Sequence, residues 1–164
     1  MTEVKKTILS ASAQARINEW MKRYPANEKR SAVMEALRIV QEENRDWLTT
    51  ELMDGVADYL DMPRIAVYEV VSFYTMYNVR PVGRHVINVC TNISCMLCDC
   101  KKIVDHLKKR LEIGFNETTA DGRFTLREVE CLAACTAAPV MQIGKEYHEH
   151  LTPEKVDAIL EELE

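Results

Sequence analysis

Apolar residues recur every three or four positions through roughly the first 80 residues, a spacing that predicts amphipathic helices. The pattern favours four of them, at Ser12–Arg23, after Asn27, at Thr50–Leu60, and from Pro63 toward Tyr74. We expect Pro63 in the first turn of the fourth helix, where proline is well tolerated. The apolar stripes are interpreted as the core of a small helical bundle.

The pattern changes after Pro81-Val82-Gly83 to short apolar or alternating runs, which are typical of strands. Between and after these runs it predicts two helices, the second with Thr152 as N-cap and Pro153 in its first turn. The expected elements are strands at His85–Cys90, Phe124–Val129, Val140–Ile143 and Tyr147–His150, and helices at Asp99–Leu111 and from Pro153 to the C-terminus. The predicted class is therefore α+β, with a helical bundle at residues 1–80 and a compact α/β domain of thioredoxin-like size at 81–164.

Composition and charge exclude some classes of function. The net charge of −5 argues against a nucleic-acid binder, which needs clustered Lys and Arg. No apolar run approaches the roughly 18 to 20 residues needed to span a bilayer. Met1–Lys6 has no apolar stretch behind its lysines, which argues against a secretory signal. We expect a cytoplasmic protein that inserts no segment into a membrane.

All six cysteines lie between Cys90 and Cys135, and in a reducing compartment such clustering indicates metal binding or catalysis. Cys90 ends one predicted strand and Cys95 follows five residues later, while Cys131 ends a second strand and Cys135 comes four residues later. If these strands are neighbours, both loops open at the same end of the sheet. Four thiolates could then hold a [2Fe–2S] cluster. We assign Cys90 and Cys95 to one iron, and Cys131 and Cys135 to the other.

Other cysteine sites compete with this assignment. Cys90, Cys95 and Cys98 partly match the C-x4-C-x2-C spacing of plant-type ferredoxins. Cys95 and Cys98 could also form a zinc knuckle or a redox-active C-x-x-C pair. Each alternative leaves Cys131 or Cys135, or both, without a clear role, and structural zinc is the most serious of them.

A Rieske centre is disfavoured, because it needs two histidine ligands and no histidine forms a C-x-H pair with a cysteine. The four histidines are His85, His106, His148 and His150. Cys98 and Cys100 are expected to be cysteines at a helix start, without a metal role.

The residues around the cysteines resemble those of the E subunit of bacterial NADH-quinone oxidoreductase, respiratory complex I. The resemblance extends from about Ser12 to Leu163. It is carried by Cys90-Thr91-Asn92-Ile93-Ser94-Cys95, Cys131-Leu132-Ala133-Ala134-Cys135, Val70-Val71-Ser72-Phe73-Tyr74-Thr75-Met76-Tyr77, Pro81-Val82-Gly83-Arg84-His85-Val86-Ile87 and Thr119-Ala120-Asp121-Gly122-Arg123-Phe124-Thr125-Leu126.

This resemblance implies a helical domain followed by a thioredoxin-like ferredoxin domain, in a protein peripheral to the inner face of the cell membrane. Cys90, Cys95, Cys131 and Cys135 fall on the family's four cluster-ligand positions. The implied partners are the flavin-bearing F subunit, which binds NADH and FMN, and the large iron–sulfur G subunit. Modules in NAD-linked hydrogenases and formate dehydrogenases look similar, so these enzymes are alternative parent complexes.

The chain departs from the family pattern at Ala133, where glycine is common, and in its extra thiols Cys98 and Cys100. If this position has a positive φ, alanine would strain the loop by about 1 kcal/mol. None of the five glycines forms a G-x-G-x-x-G dinucleotide loop, so neither NADH nor flavin is expected on this chain. We therefore expect an electron-transfer subunit that is not catalytic alone. A zinc-bound scaffold is the competing hypothesis.

Overall fold

The computed structural model describes residues 8–163. The expectation for Met1–Lys6 therefore lies outside the described residues. The chain divides after Pro81 into two compact units.

Between residues 8 and 81 the first unit is built from four α-helices, which confirms the predicted bundle. A short 3-10 helix, Lys29–Ala32, leads into the second of them. The helices are α1 at Ala11–Met21, α2 at Val33–Glu43, α3 at Thr50–Leu60 and α4 at Arg64–Phe73.

Hydroxyl side chains fix two of the helix starts. Ser10 accepts a hydrogen bond from the Ala13 N–H at 2.9 Å, and Thr49 accepts one from Leu52 at 3.2 Å. Each satisfies a backbone donor that the first helical turn leaves unpaired. Pro63 differs from expectation: its ψ of 135° is extended, so it is the N-cap and α4 begins one residue later.

The apolar stripes of these helices meet in one core. Leu37 of α2, Val56 of α3 and Val67 of α4 are fully buried there. Burial of such stripes supplies most of the stability of helices of this length. The core interpretation of the stripes is therefore confirmed.

The described part of the second unit contains a mixed sheet of five strands, namely β1 at His85–Cys90, β2 at Glu117–Thr118, β3 at Phe124–Val129, β4 at Met141–Ile143 and β5 at Glu146–His148. Their order in the sheet is β2-β3-β1-β4-β5. The central strand β1 pairs in parallel with β3, and the other pairs are antiparallel. With the helical first unit, this sheet confirms the α+β class.

Up to residue 163, three α-helices accompany the sheet, namely α5 at Ile93–Leu97, α6 at Cys100–Leu111 and α7 at Pro153–Glu162. The N-cap prediction for α7 is confirmed, since Thr152 accepts a hydrogen bond from Lys155 at 3.2 Å. The two-residue β2 and the five-residue α5 were not expected, because neither is long enough to show a periodic pattern.

One face of the sheet forms the core of this unit. Ile87 and Leu126 lie opposite each other on β1 and β3 and are fully buried. They pack in one cluster with Leu107 of α6 and Leu160 of α7. The C-terminal end of the central strand β1, at Cys90, leads into the first cysteine loop. None of the helices within residues 8–163 combines the length and apolar character needed to cross a membrane.

Candidate metal centre

The first and second cysteine loops leave the sheet side by side. Cys90, the last residue of β1, lies opposite Val129, the last residue of the parallel strand β3. The Thr91 N–H donates to the Val129 carbonyl at 3.3 Å, so the pairing continues into the first loop. The condition set by the sequence, that the two strands be neighbours, is therefore met. The carboxyl ends of both strands reach the same edge.

The first loop buries both of its thiols. Asn92 caps α5 by accepting a hydrogen bond from the Ile93 N–H at 2.7 Å. The helix then turns Cys95 inward, where it is 1% exposed, and Cys90 beside it is 4% exposed. Burial, with the hydrogen bond to the Cys90 thiol, raises the pKa of Cys95 to about 11. A metal would have to displace the proton from this thiol, since cysteine binds metals as the thiolate.

The second loop exposes its thiols. Cys131 lies two residues beyond β3, and Cys135 begins a short 3-10 helix, Cys135–Ala137. The Ala133 N–H donates to the Cys131 sulfur at 3.2 Å. Ala133 has a φ of 57°, the left-handed conformation that glycine adopts without strain. The condition for loop strain at this position is therefore met.

The two loops meet in a small apolar cluster. Cys90, Cys95 and Cys100 are buried in it together with Val140, which precedes β4. Residues of the second loop pack against this cluster, namely Leu132, Ala134 and Ala138. The exposed Cys131 and Cys135 lie outside it. Within residues 8–163, no three His, Cys, Asp or Glu side chains are arranged as a metal-binding group. The four-cysteine ligand set thus stays a prediction.

Cys98 and Cys100 differ from each other, although sequence reasoning treated them alike. Cys98 is the exposed C-cap of α5, and Asp99, with a φ of 62°, turns the chain into α6. Cys100 is the first residue of α6 and is buried. Its burial follows from the stripe it starts, in which Ile103, Val104 and Leu107 come three, four and seven residues later. That spacing was the signal in the sequence that could have identified Cys100 as a core residue.

The alternative sites considered from the sequence do not bring their residues together. Cys95 is buried and Cys98 is exposed, so the two thiols of the C-x2-C knuckle face different environments. His85 begins β1, at the end opposite to Cys90, and its ring lies 5.6 Å from that of Phe124. His106 contacts Asp157 of α7 at 2.8 Å.

The chemistry of the donor set fits an iron–sulfur cluster. Two pairs of cysteines leave one sheet edge, and a cluster of this type takes four thiolates. A backbone N–H already points to one sulfur, and small or apolar side chains of the second loop pack against the buried thiols of the first. Hydrogen bonds to sulfur and a dry environment are the features by which proteins tune such clusters.

Comparisons with known proteins agree on one family. The model of the family described as thioredoxin-like [2Fe-2S] ferredoxin matches residues 17–164. The E subunit of NADH-quinone oxidoreductase from Rickettsia bellii is 45% identical over 87% of this chain and 86% of its own length. The E 2 subunit of NADH-quinone oxidoreductase from Rhizobium meliloti is 46% identical over 85% of this chain and 81% of its own.

A solved structure shares the fold at greater distance. An NAD+-reducing [NiFe]-hydrogenase in the air-oxidised state superposes with a TM-score of 0.67 at 20% sequence identity. The match covers 77% of this chain, which spans only 22% of the hydrogenase chain. At this identity the likeness concerns the fold.

Proposed function

Since the chain belongs to the thioredoxin-like [2Fe–2S] ferredoxin family, we propose that it is the electron-transferring E subunit of an NADH-quinone oxidoreductase. The resemblance drawn from its sequence is confirmed by relatives of that name at 45% and 46% identity over most of both chains. In this proposal residues 1–80 form a helical domain and residues 81–164 carry the redox group.

Cys90 and Cys95 would hold one iron of a [2Fe–2S] cluster, and Cys131 and Cys135 the other. When bound, the cluster supplies a couple that takes up and releases one electron at a time. The single observation that carries this assignment is the parallel register of Cys90 with Val129, which brings both loops to one edge.

The chain's own part is to hold and shield the thiolates. Cys95 lies on the buried side of α5, and its burial keeps water from one side of the site. The Ala133 N–H donates to the Cys131 sulfur, and bonds of this kind help to set reduction potentials. No dinucleotide-binding loop is present in the sequence, so NADH and FMN belong to a partner, the F subunit, with the G subunit nearby.

An exposed apolar surface beside the site supports the existence of a partner. Ile93, Met96 and Leu97 project from α5 with more than half of their surface exposed. Contiguous exposed apolar residues are typical of protein interfaces. The assembled complex would hold this chain at the inner face of the cell membrane, where it exchanges single electrons with the flavin and is not catalytic alone.

Two further functions remain as alternatives. The fold similarity to an NAD+-reducing hydrogenase makes an equivalent component of such an enzyme the second candidate, but the higher identity to the quinone oxidoreductase relatives favours the first. The other is a zinc-bound scaffold, which would also occupy thiolates but carry no electrons.

The test is anaerobic purification with iron, sulfide and zinc analysis, followed by electron paramagnetic resonance of the dithionite-reduced protein. We expect about two irons and two sulfides per chain and a spin-half signal. Cys90→Ser and Cys135→Ser should lose the signal. Cys98→Ser is the matched control, because Cys98 is an exposed thiol next to the first loop, and this variant should keep the signal.

Three other results would decide against the proposal. About one zinc per chain without iron or signal would leave a scaffold. Loss of the cluster in Cys98→Ser but not in Cys135→Ser would favour the plant-type spacing. Copurification of the chain with hydrogenase subunits, and not with those of a quinone oxidoreductase, would favour the second candidate.

A further inference from the structure

Cys100 is a buried thiol that the proposed ligand set does not use. It is 4% exposed and shares one packed cluster with Cys90, Cys95 and Val140. Its neighbour in sequence, Cys98, is exposed. Two extra cysteines that the family pattern does not require thus have opposite surroundings, and only the side chain of Cys100 is buried together with the proposed ligands Cys90 and Cys95.

The local backbone explains how Cys100 comes to this position. Asp99 adopts a left-handed conformation between α5 and α6, so the chain changes direction there. Cys100 then begins α6 and points with Ile103 and Leu107 toward the interior. The side chain is therefore anchored by a twelve-residue helix, whereas Cys95 lies on a helix of five residues.

We infer that Cys100 is a positioning residue for the Cys90–Cys95 half of the site. This inference rests on the proposed function. The side chain packs behind the two ligand residues, keeps water from their sulfurs and limits how far they can move. Its thiol can also act as a weak hydrogen-bond donor to a neighbouring sulfur. A side chain of this kind would tune the reduction potential and the lifetime of the group without binding iron.

Its position favours packing over ligation. Cys100 belongs to the apolar stripe of α6, and the second loop packs against the cluster through Leu132, Ala134 and Ala138. In the proposed ligand set Cys100 therefore lies beside the site, packed against Cys90 and Cys95, and the two exposed thiols of the second loop are the remaining ligands.

The test compares Cys100→Ala and Cys100→Ser with the matched control Cys98→Ala, in the whole chain purified anaerobically. We expect all three to retain about two irons per chain. Cys100→Ala should shift the midpoint potential of the cluster and lose the cluster several-fold faster in air. The reason is that removing the Cys100 sulfur leaves a cavity beside Cys90 and Cys95. Cys100→Ser keeps a small donor in place and should lie between wild type and Cys100→Ala. Cys98→Ala should match wild type in both measurements.

Two outcomes would overturn the inference. In the first, Cys100→Ala matches Cys98→Ala in potential and in the rate of cluster loss. In the second, both Cys100 variants bind no iron while their circular dichroism is that of wild type, which would make Cys100 a ligand. A wild-type chain without iron would refute the proposed function itself, so the two failures are distinguishable.

Discussion

Cys90 and Val140 are joined through the backbone: the Cys90 N–H donates to the Val140 carbonyl at 3.2 Å. This bond extends the pairing of β1 with β4, just as the bond from Thr91 to Val129 extends its pairing with β3. The end of the central strand is thus held on both sides. The first loop starts from a fixed point, and only the short segment from Thr91 to Cys95 has to be ordered by side chains.

Asn92 is one of the side chains that order this segment. Asn92→Ala removes the cap that accepts from the Ile93 N–H, which we expect to destabilise α5 by about 1 kcal/mol. Because α5 carries Cys95, the cluster should be lost faster in air, as followed by its visible absorbance. Asn92→Asp keeps an acceptor in place and is the control. Equal rates of loss for Asn92→Ala and wild type would contradict this role.

Ala133 strains the second loop, since its φ is 57°. Ala133→Gly should relieve this strain and raise the free energy of unfolding by up to about 1 kcal/mol, despite the greater freedom of glycine in the unfolded chain. The bond from its N–H to the Cys131 sulfur remains possible. Urea unfolding of the metal-free chain measures the change.

Ala134 supplies the control for this substitution, because its φ of −111° is negative. Ala134→Gly increases the freedom of the unfolded chain and removes a methyl group that packs against the cysteine cluster, so it should destabilise by at least roughly 0.5–1 kcal/mol. Opposite signs for the two variants are the expected result. A loss of stability in both would show that the conformation of Ala133 carries no strain.

Much of the fold could be predicted because its elements have clear local signals. The spacing of apolar residues gave the bounds of α3, and the β-branched run His85–Cys90 gave those of β1. The hydroxyl of Thr152 ahead of Pro153 gave the start of α7. In each case one short segment contains both its pattern and its boundary.

The remainder depended on contacts between distant segments. The parallel pairing of β1 with β3 joins residues about forty positions apart, and no local pattern specifies it. Likewise, Cys98 and Cys100 differ in burial because of the left-handed turn at Asp99, a residue type that does not require that conformation. The candidate ligands were therefore predicted from the sequence, but the buried position of Cys100 beside them was not.

Gly83 lies where the second unit begins, and its backbone closely approaches β3. A Cβ at this position would come within 2.8 Å of the Phe124 carbonyl carbon and 2.9 Å of the Arg123 carbonyl group. Since backbone atoms cannot move aside easily, Gly83→Ala should destabilise by about 1–3 kcal/mol. Gly114→Ala is the control, because its Cβ would meet only the flexible Glu117 carboxylate. Equal melting temperatures for the two variants would contradict the steric argument.

Gln41 of α2 links this helix to the segment after α4 by hydrogen bonds to two backbone groups. Its amide nitrogen donates to the Met76 carbonyl at 3.1 Å, and its oxygen accepts from the Asn78 N–H at 2.7 Å. Gln41→Ala leaves both groups without this partner in a buried setting, which we expect to cost about 1–3 kcal/mol in urea unfolding. Gln14→Ala breaks a single bond, to the Leu9 carbonyl, and should cost less. A larger loss in Gln14→Ala would contradict the importance of the Gln41 bridge.

The last prediction concerns pH and His85. Burial lowers the pKa of this imidazole, and the charges of Arg84 and Arg123 add to the effect. In the unfolded chain the pKa is about 6.5, so below that value the unfolded state binds more protons than the folded state. The contribution of neutral His85 to the free energy of unfolding is therefore complete above pH 6.5. It is lost as the pH falls through the lowered pKa of the folded state. Urea unfolding between pH 7.5 and 5.5 should show a smaller decline for His85→Gln than for wild type, and an imidazole resonance titrating above 6.5 would contradict the argument.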